Sequence, residues 1–214
     1  SAGLLSFFYA ATDQPWGRPH DRGQWLVQFT ALGTRLRRVT SPSGAERFPL
    51  FALKASRELT LPFMRTEVFR SLGFDDTERQ RYDALYEAHL REYCLQPFPK
   101  SVLHRFLGHP DAIQGDMSRR LEYDEAGVDL DDVRPELEEA ARKWRLLFQL
   151  GSDFNQSMCW GDNGRLFFWL READLAAHRF ADGATVVAAG PAGPAGPAAP
   201  VVARSAGEGG RPAL

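Results

Sequence analysis

Three polar clusters contain the residue types that could carry chemistry. In the first cluster, residues 14–17 (Gln-Pro-Trp-Gly) and 21–23 (Asp-Arg-Gly) set a tryptophan and an arginine among turn residues. One interpretation is a structured turn in which Trp16 packs as a lid. The other is a recognition surface formed by Trp16 and Arg22, because interfaces are enriched in these two residue types. The sequence leaves both interpretations open.

The second cluster combines two histidines with two carboxylates in one short segment. His104, His109, Asp111 and Asp116 could ligate a metal ion or act as acid and base. The same segment contains two glycines and a proline, so it is predicted to be a loop. Aspartate and histidine in loops commonly hydrogen-bond the backbone to hold a turn, and we favour this structural role over catalysis.

The third cluster is Asp153 together with residues 160–164 (Trp-Gly-Asp-Asn-Gly). The triplet Asp-Asn-Gly is a strong tight-turn signal ahead of a strand. Asp153 and Asp162 could form the carboxylate pair of a hydrolase, but no nucleophile with its base accompanies them. The motifs GxSxG, HExxH and the P-loop are absent, and no Rossmann fingerprint occurs outside the C-terminal tail. We therefore assign no catalytic residue and no metal ligand, and we expect no cofactor.

Composition restricts the class of protein. The 214 residues carry 26 basic and 28 acidic side chains, a formal net charge of −2, and 43% are hydrophobic, which is typical of a globular chain. No apolar run approaches the ~20 residues that cross a bilayer, so no membrane segment is predicted. The near-neutral charge argues against nucleic-acid binding, which usually requires a basic excess. Two cysteines without a CxxC pair, and no visible signal peptide, make a cytoplasmic location the default.

The segments that must position these clusters are a mixture of strands and helices. Short runs of β-forming residues between turn signals predict strands, and a capping residue before an apolar stripe predicts a helix. The two kinds of element come in groups and do not alternate strictly, which indicates an α+β fold with mainly antiparallel sheets. The predicted strands cover residues 4–9, 24–29, 51–61, 144–150 and 165–170, and the predicted helices begin near residues 66, 76, 135 and 172.

Three of these segments have a predicted environment. The strands at 144–150 and 165–170 are almost continuously hydrophobic, which places them at the centre of a sheet. The acidic run 122–139 is predicted to be a solvated loop leading into the helix at Pro135. The helix near residue 76 carries a stripe that predicts one buried face, formed by Tyr82, Leu85, Tyr86, His89, Leu90 and Tyr93.

The C-terminal part of the chain differs in composition from the rest. Residues 181–214 consist mostly of Ala, Gly and Pro and contain no aromatic residue. Such a segment cannot bury enough apolar surface to offset the entropy of ordering it, so it is predicted to be disordered. The folded domain is therefore predicted to cover residues 1–180.

Two strand segments resemble each other, which suggests an internal duplication. Residues 3–8 (Gly-Leu-Leu-Ser-Phe-Phe) and 164–169 (Gly-Arg-Leu-Phe-Phe-Trp) each combine a glycine with a leucine-and-aromatic strand. The second copy follows another strand, whereas nothing precedes the first. We therefore expect that the domain lacks an N-terminal segment containing a partner strand.

The order of the clusters and strands resembles the bacterial YwqG-like family. The resemblance extends over about residues 3–180 and rests on segments 3–9, 14–17, 21–23, 104–108, 110–111, 113–117, 147–150, 152–153 and 160–169. It implies an α+β fold without an established enzymatic activity, and members with a further N-terminal segment. It also implies a distant similarity to ribosome-assembly chaperones of the programmed-cell-death-2 type. A further implication is that bacterial relatives are found in toxin-neutralising gene neighbourhoods. The zinc-binding cysteine pairs of those chaperones are absent from this chain.

The resulting hypothesis is a non-enzymatic module that binds another, unidentified protein in a chaperone-like or immunity-type role. No nucleic-acid or membrane partner is expected. Its predicted binding surface consists of Trp16, Arg22, His109, Asp111, Gln114, Asp116, Asp153, Trp160 and Asp162. The alternative is a metal-dependent hydrolase, which requires several of His104, His109, Asp111, Asp116, Asp153 and Asp162 to converge in one pocket.

Overall fold

Two antiparallel sheets and five α-helices make up the fold. The structure is a computed structural model, and it describes residues 2–40, 48–93 and 104–188. The strands are β1 (Gly3–Tyr9), β2 (Trp25–Ala31), β3 (Arg105–Phe106), β4 (Trp144–Gly151), β5 (Arg165–Arg171) and β6 (Ala184–Ala188). The helices are α1 (Glu67–Arg70), α2 (Asp76–Tyr93), α3 (Met117–Ala126), α4 (Pro135–Ala141) and α5 (Glu172–Ala176). The predicted α+β class with antiparallel sheets is confirmed.

The larger sheet has the strand order β3-β4-β5-β6, so β4 and β5 occupy its centre as predicted. They pair antiparallel from Trp144 opposite Arg171 to Gly151 opposite Arg165. An irregularity in the register between Leu146 and Phe148 interrupts the ladder. A bulge of this kind adds one residue to a strand and changes which face the following side chains point to.

Successive side chains of β4 alternate between the two faces of the sheet and enter separate cores, and the bulge turns the adjacent residues Leu147 and Phe148 toward the same core. One core packs against α3 and contains Met117, Leu121, Trp144, Leu146, Phe167, Trp169 and Ala184. The other packs against the β1–β2 hairpin and contains Val27, Leu147, Met158, Trp160, Leu166 and Phe168. The layer order is therefore helix, four-stranded sheet, two-stranded sheet.

The β1–β2 hairpin packs on the large sheet through alternate residues of its strands. The pairing runs from Gly3 opposite Ala31 to Tyr9 opposite Trp25. Phe7 inserts into the large sheet, with its ring centroid 4.8 Å from that of Phe148 and 5.0 Å from that of Phe168. The opposite face of the hairpin is directed away from the core.

The helices α1 and α2 form a small aromatic core of their own. Thr66 caps α1 by accepting a hydrogen bond from the Phe69 backbone N–H, as the sequence predicts. Phe69, Tyr82 and Tyr86 are buried together. The predicted stripe on α2 is confirmed for Tyr82 and Tyr86, but Leu85 is 55% exposed. The side chains of Leu90 and Tyr93 lie outside the described part of the chain. The core covers only a narrow part of α2, because α1 is four residues long.

Residues 51–61 do not form the predicted strand. Side chains, and not a backbone ladder, attach this segment to the neighbouring loop. Glu58 forms an ion pair with Arg105 at 2.7 Å, and Thr60 Oγ1 accepts a hydrogen bond from the His109 N–H at 2.8 Å. The sequence of residues 51–61 alternates as a strand would, but among the described residues no strand pairs with the backbone of this segment.

The folded region extends beyond the predicted boundary at residue 180. Strand β6 lies inside the segment predicted to be disordered, and its residues from Ala184 to Ala188 pair antiparallel with β5. The disorder prediction is wrong for these residues, because a strand that completes a sheet needs backbone partners more than large side chains. Residues 189–214 lie outside the described part.

Within the described ranges, every helix is too short or too polar to cross a lipid bilayer.

We expect Phe7→Ala to lower the free energy of unfolding by about 3 kcal/mol, because it removes the ring that anchors the hairpin on the sheet. Phe8→Ala is the matched control, since Phe8 is the next residue on the same strand but is 52% exposed on the other face. It should cost less than about 1 kcal/mol. Urea denaturation of both variants measures the difference, and equal losses would contradict this packing of the hairpin.

Candidate functional site

A cavity of about 630 Å³ lies on the face of the large sheet that packs against α3. Its wall combines side chains of β4 and β5 with the start of α3 and the loop that follows β3. The lining residues with a bearing on its chemistry are His109, Asp116, Met117, Ser118, Arg142, Trp144, Arg145, Leu146 and Trp169. The structure therefore brings His109 and Asp116 of the second predicted cluster to one cavity.

His109 is the titratable ring of this cavity. Among the described residues only its backbone is hydrogen-bonded, through its N–H to Thr60 Oγ1 at 2.8 Å and through its carbonyl, which accepts from Arg105 at 3.0 Å. The pKa of His109 is lowered from its usual value, first by burial and then by the positive charges of Arg145 and Arg105. The imidazole is therefore neutral at pH 7.

Asp116 has a structural role at the cavity, as the loop chemistry predicts. Its Oδ1 caps α3 by accepting from the Arg119 N–H at 3.1 Å, and it also accepts from the Ser118 hydroxyl at 2.7 Å. Its Oδ2 accepts from the backbone N–H of Glu67, the first residue of α1. One carboxylate thus ties the start of α1 to the start of α3.

Two of the residues that line the cavity also contain buried donors without acceptors. The Nε1 of Trp169 and the Nε of Arg142 are buried, and neither makes a hydrogen bond within the described part of the chain. The outer nitrogens of Arg142 and Arg145 reach Glu139 and Glu172 at 2.7 and 2.8 Å. Among the described residues, the charged side chains that line the cavity are Asp116, Arg142 and Arg145.

Three residues that line the cavity, Arg142, Arg145 and Trp169, lie outside the three predicted clusters. Arg142 and Arg145 flank the start of β4, and Trp169 lies in β5, far from His109 in the sequence. The one available signal is the basic segment at residues 142–145 directly before a hydrophobic strand.

The other predicted residues of this segment, His104, Asp111 and Gln114, are not among the residues that line the cavity. Asp111 forms a buried ion pair with Arg165 at 2.9 Å, and its N–H donates to the side chain of Gln149 at 2.9 Å. His104 Nδ1 accepts from the Gly151 N–H at 3.2 Å. Gln114 is exposed on the loop before α3. The polar groups of Asp111 and His104 are thus engaged in holding the loop to β4 and β5.

The first and third predicted clusters meet on the opposite face of the large sheet. The Gln14 side chain donates to the Cys159 carbonyl at 3.0 Å and accepts from the Gly161 N–H at 2.7 Å. Tyr9 packs edge-on against Trp160, with ring centroids 5.7 Å apart. The contact between these clusters is not visible from their separation in the sequence.

Most members of the two clusters are structural. Trp160 is only 4% exposed, so it belongs to the core, and its placement on the predicted binding surface is wrong. Asp153 accepts from the Asn155 N–H at 3.0 Å and holds its own turn. Arg22 pairs with Glu125 at 3.1 Å, and Asp162 is exposed in a turn. The predicted surface is therefore divided among several sites.

Trp16 is the exception, because 53% of its surface is exposed. The loop that carries it is held on both sides. The Tyr9 hydroxyl donates to the Pro15 carbonyl at 2.9 Å, and Asp21 accepts from the N–H groups of Gly17 and Arg18 at 3.1 and 3.0 Å. The lid interpretation of Trp16 does not fit this exposure.

Among residues 2–40, 48–93 and 104–188, no group of three or more His, Cys, Asp and Glu side chains is arranged to hold a metal ion. The six residues of the metal-dependent hydrolase hypothesis are distributed over separate turns. This part of the chain offers that alternative no support.

We expect Asp116→Ala to destabilise the fold by about 1–2 kcal/mol, because it removes the cap of α3 and leaves the Glu67 N–H without its acceptor. Asp162→Ala is the control at an exposed aspartate and should change stability by less than about 0.5 kcal/mol. Chemical denaturation separates the two. An Asp116→Ala protein as stable as the control would contradict the structural role.

We expect the free energy of unfolding to fall between pH 7.5 and pH 5.5. The folded pKa values of His104 and His109 lie below the usual 6.5, so below that pH the unfolded chain takes up protons first. His109→Gln should flatten this dependence, whereas His20→Gln, at a histidine whose side chain is 76% exposed, is the control. A pH dependence that is identical in the two variants would contradict the inference.

The chain was compared with known proteins. No curated protein matches it significantly. Residues 1–187 match a family described as a domain of unknown function, and this range contains the five helices and, except for Ala188 at the end of β6, the two sheets described above. Because the match covers most of the 214 residues, the chain belongs to this family of unknown function, DUF1963.

Proposed function

We propose that the chain is a non-enzymatic protein-binding module whose partner contacts Trp16 and the outer face of the β1–β2 hairpin. The outer face is defined by Leu4, Phe8 and Leu26. The observation that carries the proposal is the half-exposed Trp16 on a loop held by hydrogen bonds at both ends.

The outer face of the hairpin exposes apolar side chains that the fold does not use. Leu4, Phe8 and Leu26 are 53%, 52% and 43% exposed. Phe8 lies directly opposite Leu26 in the ladder, so the two form a cross-strand pair. Adjacent exposed apolar side chains of this size are characteristic of protein interfaces.

Trp16 lies at the same end of the hairpin as the Phe8–Leu26 pair. Its loop joins β1 to β2 and starts directly after Tyr9, which is one residue beyond Phe8. Because Tyr9, Gln14 and Asp21 already fix this loop, a partner would lose little entropy by ordering it. Rigid tryptophans with exposed rings are typical anchors of binding energy.

The YwqG-like resemblance supplies the kind of partner. We propose a bacterial cytoplasmic protein, bound in a chaperone-like or immunity-type role. The described residues contain no group of three or more His, Cys, Asp and Glu side chains arranged to hold a metal ion in support of the hydrolase alternative.

Photo-crosslinking tests this proposal. We would place p-benzoylphenylalanine at position 8 of the full chain, expressed in its own host, and at position 154 as the matched control. Phe154 is 62% exposed but lies on a different segment, the short helical turn at Phe154–Gln156. We expect one discrete protein adduct at position 8 and none of that mass at position 154.

Trp16→Ala tests the same surface independently. Loss of an anchor of this kind typically weakens binding tenfold or more, so the yield of the adduct at position 8 should fall sharply. Equal cross-linking at the two positions, or an adduct that Trp16→Ala leaves unchanged, would contradict the proposal. An adduct with a second copy of the chain would replace it with self-association.

A further inference from the structure

We propose that the groove between β3 and residues 53–60 binds an acidic, extended peptide segment of a partner protein, which adds a strand at the outer edge of β3. The groove is lined by residues 53–60, by residues 104–108 and by Phe148. Trp16 and the outer face of the hairpin line no part of it. The proposal therefore goes beyond the proposed function and does not depend on it.

The strand β3 leaves a backbone group of the large sheet open for pairing. It forms one edge of the sheet and contains only Arg105 and Phe106. The N–H of the next residue, Leu107, donates to the Leu147 carbonyl of β4 at 3.2 Å. Because a peptide unit is planar and trans, the Phe106 carbonyl in the same unit points away from β4. An open strand edge of this kind is a template for pairing with another chain.

Residues 53–60 form the opposite wall of the groove. Side chains position this wall, since Glu58 forms an ion pair with Arg105 at 2.7 Å and Thr60 Oγ1 accepts from the His109 N–H at 2.8 Å. Among residues 2–40, 48–93 and 104–188, no strand pairs with the backbone of this wall. The wall is thus held beside β3 without occupying the pairing positions at its edge.

The apolar side chains of the groove are accessible to a partner. Phe106 and Leu107 are 57% and 41% exposed, and Leu53 on the opposite wall is 53% exposed. Phe148 extends this surface from β4. The groove has a volume of about 650 Å³, which is within the range of sites that enclose ligands, so it accommodates apolar side chains of a bound peptide.

The charge of the groove favours an acidic segment over a basic one. Lys54 and Arg57 are exposed, and neither forms an ion pair within the described part of the chain. Among the described residues, Glu58 is the one carboxylate that lines the groove, and Arg105 already pairs with it. A strand that alternates acidic and apolar side chains therefore complements both the charge and the apolar surface of the groove.

Two heptapeptides of opposite charge test the proposal on the full chain. The acidic peptide alternates glutamate with valine, the basic peptide alternates lysine with valine, and both carry the same neutral fluorescent label. Fluorescence anisotropy measures the dissociation constants. We expect the acidic peptide to bind about tenfold or more tightly than the basic one, because like charges across an interface repel each other.

Methylated peptides and an oligonucleotide separate strand addition from a general attraction of anions. Two further acidic peptides carry methyl groups on all valine nitrogens or on all glutamate nitrogens, which removes the N–H donors along one edge of the strand or the other. We expect at least one of them to bind about tenfold or more weakly than the unmethylated peptide. Oligothymidylate of the same length, a polyanion without peptide groups, should also bind more weakly.

Two sets of variants locate the binding site. Phe106→Ala should weaken binding of the acidic peptide about threefold or more, and Phe8→Ala, at a similarly exposed phenylalanine of the hairpin, should change it by less than about twofold. Lys54→Gln combined with Arg57→Gln should weaken binding about threefold or more, and the exposed control Arg134→Gln should leave it within about twofold. Circular dichroism checks that the variants are folded.

The proposal is overturned when the acidic peptide does not bind at millimolar concentration, or binds no more tightly than the basic peptide or the oligonucleotide. It is also overturned when neither methylated peptide loses affinity, or when the control variants lose as much affinity as the groove variants. Because Phe106 belongs to the groove and Phe8 to the hairpin surface, these outcomes are separate from those of the cross-linking experiment.

Discussion

The hydrophobic pairing of β4 with β5 is the constraint on which the rest of the structure depends. Both strands are covered on both faces, and each of the two main cores takes side chains from both of them. The alternation of side chains along each strand produces this sharing, and the bulge after Leu146 shifts the alternation in β4 by one residue. Leu146 lies opposite Trp169 on the α3 face, whereas Phe148 lies opposite Phe168 on the hairpin face. The cavity and the hairpin are thus attached to opposite faces of one pair of strands.

Several carboxylates of the described residues act as structural acceptors. Asp21, Asp116 and Asp153 each accept backbone N–H groups at the start of a turn or helix. The acidic run also departs from a purely solvated segment. Glu122 is 8% exposed and accepts from the Trp144 indole, and Glu138 accepts from the Tyr123 hydroxyl at 2.7 Å. Glu122 and Glu138 are therefore less solvated than the acidic run predicts, because aromatic side chains donate hydrogen bonds to their carboxylates.

The parts of the fold that depend on local pattern are predictable from the sequence. The strands β1, β2, β4 and β5 and the Thr66 cap of α1 follow from residue type and spacing. The strand β6 and the extended segment 51–61 do not, because their state depends on whether a neighbouring edge is available for pairing. The cavity is less predictable still. His109 and Trp169 line the same cavity from a loop and from β5, and no short-range signal in the sequence encodes this arrangement.

Two tryptophans show why a buried unpaired donor does not by itself mark a binding site. Trp160 and Trp169 both bury an indole N–H without an acceptor in the described part of the chain. Trp160 is surrounded by aromatic rings, with centroids of Tyr9 and Phe48 at 5.7 and 5.8 Å, and this packing offsets the cost of its N–H. Trp169 lines the cavity beside α3, but its Nε1 is buried like that of Trp160. A donor that no water-sized molecule reaches is not available to a ligand either, so neither indole N–H marks a binding site by itself.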